Sequence, residues 1–169
     1  MTNRTLEQLR AAHAWDCATA TRKHFEVIAK KSSSRDPAKA KQEAKDHYES
    51  YVNEIKKLPA RIRTNGLGPA LAYLAAKGKL SDTKPEGRLY KNLASWLTRP
   101  ADPRGPYAQD GKADITDTQL LHTIHEEDSR RYRWATTEAL AYLVQLKLLA
   151  DALQAVPDPA QAAAAETRP

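Results

Sequence analysis

Lys56–Leu74 reads KKLPARIRTNGLGPALAYL, and it brings together four cations, two prolines and a Gly-Leu-Gly turn. Lys56, Lys57, Arg61 and Arg63 recur at spacings of one to four, so a helix presents several of them on one side. Pro59 lacks a backbone donor and clashes with the preceding turn, which predicts a kink or stop near Leu58. Thr64-Asn65-Gly66 marks the next break, with Asn65 available to cap a helix from about Leu67 to Lys77. Pro69 suits only the first turn of that helix, and Gly78 is placed to close it in a left-handed conformation. Two helices meeting at a sharp corner are expected around Pro59 to Leu67, with Pro59, Gly66, Leu67, Leu71 and Leu74 as its structural residues.

Upstream, Ala40, Ala44, Tyr48, Tyr51, Ile55 and Leu58 alternate steps of four and three, an amphipathic stripe with lysines and acids on the other faces. Asp36-Pro37 is a start signal for this helix, the carboxylate capping amide groups and the proline fitting the first helical position. Before it, Thr2 to about Lys31 forms a first helix whose periodic positions include Leu6, Leu9, His13, Cys17, His24, Val27 and Ile28. Lys30-Lys31-Ser-Ser-Ser-Arg35 connects the two. Downstream, a helix is expected from about Pro85 to Leu97, a brief one from Thr116 or Asp117 through Ile124, and a long one from about Ser129 to Leu153.

Leu140, Leu143, Leu146, Ala150 and Leu153 form one stripe of that last helix, widened by Val144, Leu148 and Leu149. Either it is a central core helix or part of it meets another subunit. Three prolines and two glycines between residues 98 and 114 predict an exposed loop, and residues 157–169 predict a disordered tail. The expected fold is all-α, a compact bundle of five to six helices forming one domain over residues 1–156.

Composition agrees. Ala and Leu carry most of the apolar surface, while aromatic residues make up 7% of the chain, which favours helices over a sheet. Cys17 is the single cysteine, no apolar run approaches eighteen residues, and the first thirty residues show no signal-peptide core, so a cytoplasmic chain without a membrane span is expected. Residues 1–63 hold 14 Lys and Arg against 8 Asp and Glu, a net of +6, whereas residues 64–169 hold 13 of each sign. All the excess charge therefore lies toward the N-terminus, where a polyanion would be attracted. The competing reading is a basic surface that serves solubility alone.

Three basic clusters suit phosphate contact: Lys30 and Lys31 beside Arg35; Lys56, Lys57, Arg61 and Arg63; and Arg130, Arg131 and Arg133. Glu126, Glu127 and Asp128 stand directly before the third, so local pairing competes there. Catalytic patterns are weak. His122 and His125 share a helical face with Glu126 following, but the pattern is not HExxH and no third histidine is near, so no metal is expected. Gly66-Leu67-Gly68 lacks both the Lys-Ser pair and the preceding strand of a phosphate loop. The arginine-to-histidine spacing of a common helical ribonuclease fold does not occur, which leaves a ribonuclease the least favoured class and a stand-alone nucleic-acid-binding protein the alternative to a complex subunit.

The run Tyr51, Lys56-Lys57-Leu58-Pro59, Ile62, Thr64-Asn65-Gly66-Leu67, Ala70-Leu71-Ala72-Tyr73-Leu74 resembles the signature of the small helical subunit of type III-B (Cmr) CRISPR effector complexes, klP-x-x-I-x-x-nGL-x-x-x-La-f. The likeness extends more loosely to the Leu89–Leu97 helix and to Tyr132-Arg133 with Thr137-Glu138-Ala139-Leu140. Pro69 and the loop at 98–114 depart from it. This resemblance implies a non-catalytic, cofactor-free protein of antiviral defence that stacks in several copies against other subunits and along guide and target RNA. It makes Lys56, Lys57, Arg61 and Arg63 the first candidates for contact with the RNA backbone.

Overall fold

The computed structural model describes residues 4–100, 104–109 and 117–156, and the expected tail at 157–169 lies outside them. Six helices and no strand occur among the described residues: α1 (Leu6–Ser32), α2 (Pro37–Asn65), α3 (Leu67–Gly78), α4 (Pro85–Leu97), α5 (Asp117–Glu126) and α6 (Ser129–Ala155). None of them is long and apolar enough to cross a membrane.

Local chemistry sets most of the boundaries. Thr5 and Gln8 form a reciprocal capping box at the start of α1, a signal the sequence reading passed over. Asp36 caps α2 by accepting from the amides of Ala38 and Lys39, and Pro37 stands at the first helical position. At α6 the carboxylate of Asp128 accepts from Arg130 and Arg131 N–H at 2.8 and 2.9 Å.

α2 does not stop at Pro59. It runs on to Asn65, because Ile55, Leu58 and Ile62 continue one buried stripe past the proline. Each of these side chains contributes about 2 kcal/mol on burial, enough together to offset the roughly 3 kcal/mol that an interior proline costs. The corner falls instead at Gly66, whose φ of +92° and ψ of 163° lie in a region that is almost exclusively glycine's. Asn65 is the last residue of α2 rather than the cap of α3. A hydroxyl from another helix takes that role: Gly68 N–H donates to the Tyr132 Oη at 3.0 Å.

At the other end of α3 the left-handed residues are Lys79 and Leu80, not Gly78. Gly78 is needed for proximity, since a Cβ there would lie 2.1 Å from the backbone nitrogen of Gly87 at the start of α4.

The short connection between α1 and α2 makes them an antiparallel hairpin. α6 lies against both, parallel to α1 (Arg10 meets Glu138, Arg22 meets Leu153) and antiparallel to α2 (Tyr48 meets Ala150, and Gly68, just past the end of α2, meets Tyr132). All six helices contribute to one core, with Tyr51, Leu71, Trp96, Leu120 and Tyr142 among its buried members. Leu67, Leu71 and Leu74 are fully buried.

Two further expectations need correction. The face of α1 that turns inward is Ala14, Ala18, Thr21, Phe25 and Ala29, one position away from the predicted line, while Val27 is exposed. Small alanines let α1 approach its neighbours closely, and the larger His13 and Cys17 are left at the rim. In the Pro/Gly-rich segment, Gly105, Pro106 and Tyr107 are buried rather than exposed. Tyr107 N–H bonds to Leu97 O and Gly105 N–H to Arg99 O, both at 2.9 Å, which draws the tyrosine ring into the core.

Candidate nucleic-acid interface

The basic clusters fall at the two ends of α2. With 29 residues, this helix spans about 43 Å. Its C-terminal end carries the corner cluster, and the Tyr132–Gly68 bond brings the start of α6 to the same place. The second and third clusters of the sequence thus share one end of the bundle. Lys30, Lys31 and Arg35 sit at the opposite end, at the tip of the α1–α2 hairpin.

At the corner most cations are already partnered. Glu54, almost fully buried, is the hub: Arg61 Nη1 lies 3.5 Å from it, Lys77 Nζ 3.2 Å and Lys57 Nζ 4.0 Å. The Arg61 guanidinium also stacks on the Tyr73 ring at 3.7 Å from its centre. Arg61 Nη1 and Glu54 Oε2 make no hydrogen bond, so their attraction is an ion pair alone. Lys77 bridges to Glu86 at 2.9 Å, and that bond, ahead of those to Tyr73 and Glu54, holds its ammonium above the ordinary lysine range. Lys56 pairs with Asp151 at 2.9 Å across to α6. These partners lower the positive field a polyanion would meet here.

Three arginines at this end are different. Arg63, Arg130 and Arg133 are exposed and make no ion pair among the described residues. Arg131 pairs with Glu127 at 3.0 Å, and Asp128 is occupied in capping α6, so two of the three acids before the arginines act locally. Glu126 faces His122 at 3.3 Å. His125 packs beside Gly68, 3.2 Å from where a Cβ would stand, so this histidine pair is a helix-end packing and polar cluster.

The hairpin tip is the more basic end. Residues 29–45 hold six Lys and Arg and two acids, Asp36 and Glu43. Asp36 is the cap of α2. Glu43 accepts hydrogen bonds from the Ser32 and Ser33 hydroxyls at 2.9 Å, and those hydroxyls, Ser33 first, keep its carboxyl below the usual range. Lys30 and Lys31 are exposed and form no ion pair among the described residues.

A groove of about 750 Å³ opens beside the tip between α1, α2 and the end of α6. Ala40, Ala44 and Tyr48 floor it, Lys30 and Lys45 stand at its edges, and Glu26 is the one carboxylate among its described lining residues. No group of three or more metal-ligating side chains occurs among the described residues.

A second buried acid joins α1, α4 and α6. Glu138 accepts from Arg10 at 2.7 Å and from the Trp96 indole at 3.3 Å, with the Arg99 guanidinium above the Trp96 ring. Next to it His13 bonds the Tyr142 hydroxyl at 2.9 Å and the Ser95 hydroxyl at 2.6 Å, with Cys17 Sγ at 3.6 Å. Burial, then the nearby Arg99 charge, lowers the His13 pKa to about 4, so the ring is neutral at pH 7. The hubs Glu54 and Glu138 escaped the sequence reading. Glu54 gave a faint signal, lying three residues after Tyr51 and four before Leu58 on the apolar stripe, with cations three and seven positions later.

No curated protein matches the chain. Residues 6–153 match the CRISPR-associated protein family Cas_Cmr5. That span takes in all of α1 to α5 and most of α6, including the corner on which the resemblance rested. The chain therefore belongs to the Cas_Cmr5 family, the small subunit of Cmr (type III-B) CRISPR-associated complexes.

Proposed function

We propose that this chain is a non-catalytic subunit of a Cmr complex in the cytoplasm, where it acts in antiviral defence. Several copies stack beside the other subunits and contact the backbones of guide and target RNA. Family membership supports the place in a complex. The observation that carries RNA contact is the set of exposed cations without ion-pair partners among the described residues at both ends of α2, Lys30 and Lys31 at the tip and Arg63, Arg130 and Arg133 at the corner. Phosphate contacts of this kind position an RNA without reading its sequence. Lys56, Lys57, Arg61 and Arg131 take a smaller share, because carboxylates already offset their charge. Exposed Val144 and Leu148 on α6 give a neighbouring subunit apolar surface to cover.

Co-expression with the neighbouring subunits tests this reading. The chain should elute in a large particle that contains RNA of guide length. Elution only as a small, RNA-free species, while the other subunits assemble without it, would contradict it.

A further inference from the structure

α6 opens with Arg130, Arg131, Tyr132, Arg133 and Trp134. Trp134 is 46% exposed, and its ring makes no aromatic or cation–π pair among the described residues. Trp96 shows the opposite treatment: it is buried, stacked on Tyr142 and covered by Arg99. Arg130 lies one turn before Trp134 on the same side of the helix and Arg133 directly beside it in sequence, both exposed and without an ion pair among the described residues. Tyr132, bonded to Gly68, anchors this turn against the corner.

We propose that Trp134 is a stacking site for an unpaired RNA base, with Arg130 and Arg133 holding the flanking phosphates. The inference rests on the RNA-contact reading above and adds a base to what was contact with backbone alone. Every base has a π face, so stacking on an indole is tolerant of sequence, and arginines beside the ring suit the phosphates that accompany the base. A protein partner is the less favoured occupant. The exposed apolar residues of α6 that would extend such a surface lie well along the helix, Val144 being about 15 Å from Trp134 in axial distance, whereas Arg130, Arg131 and Arg133 stand within the turn before it.

The full chain is titrated at low salt, where phosphate contacts are strongest, with a labelled oligouridine and with an abasic oligomer of equal length. Trp134→Ala should weaken oligouridine binding about 5- to 100-fold and leave binding of the abasic oligomer unchanged, with Trp134→Phe recovering most of the loss. Equal loss on both oligomers, or no loss while Arg130→Ala/Arg133→Ala weakens both, would overturn the stacking site and leave backbone contact standing. No effect from any of these substitutions, or no binding by the unaltered chain, would remove RNA from this end altogether. If Trp134→Ala changes only incorporation into the particle, the indole serves a protein interface and the proposal falls.

Discussion

The two ends of α2 look alike as strings of basic residues and differ as surfaces. At the corner a buried acid, Glu54, gathers Lys57, Arg61 and Lys77, and Asp151 takes Lys56. At the hairpin tip the two acids are engaged locally, Asp36 in a helix cap and Glu43 by two serine hydroxyls, and Lys30 and Lys31 form no ion pair among the described residues. Charge counted along a sequence therefore measures attraction for a polyanion only where its counter-charges are also counted, and these arrive from other helices.

The contrast implies that the corner acids are structural. Replacing Glu54 with Ala should cost about 2 kcal/mol of stability in denaturant unfolding, between the values for surface and buried pairs, since it strands a half-buried guanidinium. An unchanged midpoint would mean that the corner cations are as free as those at the tip.

A second stability effect tests the other polar network. The folded-state pKa of His13 lies near 4, below the unfolded value of 6.5, so the unfolded chain binds the proton first. Stability present above pH 6.5 should fall as pH drops toward 4, by on the order of 2 kcal/mol, and His13→Gln should flatten that part of the profile. Identical pH profiles for the two proteins would show that another group controls the acid limb.

At the tip, Asp36→Ala removes a cap and should cost about 1 kcal/mol. It should also leave RNA affinity no weaker, because it subtracts a negative charge. Weaker RNA binding in a folded Asp36→Ala protein would indicate that the geometry of the tip, beyond its charge, matters.

Much of this arrangement was legible in local sequence. The stripe from Ala40 to Leu58, the Asp36-Pro37 start and the break at Gly66 are all decided within one or two helical turns, and each stands where the residues put it. The helix does not stop at Pro59, because the burial that carries α2 past it comes from other helices. α1 was misread by one position because alanine, a weak hydrophobic signal, is what close helix packing needs. Tyr107 was hidden in a proline-rich segment whose composition suggests solvent. The free and the paired cations were indistinguishable for the same reason as Pro59: Lys77, Glu86 and Asp151 reach Glu54, Lys77 and Lys56 from distant positions in the chain.

The salt dependence of RNA binding by two sets of variants in the assembled particle tests the central claim most directly. Alanine at Lys30, Lys31, Arg63, Arg130 and Arg133 should reduce the log–log salt slope by about 0.7–0.9 for each phosphate that is no longer neutralised. Alanine at Lys56 and Arg61 should leave it nearly unchanged. A slope that falls with the second set and not with the first would contradict the account and assign the RNA contacts to the carboxylate-paired cations.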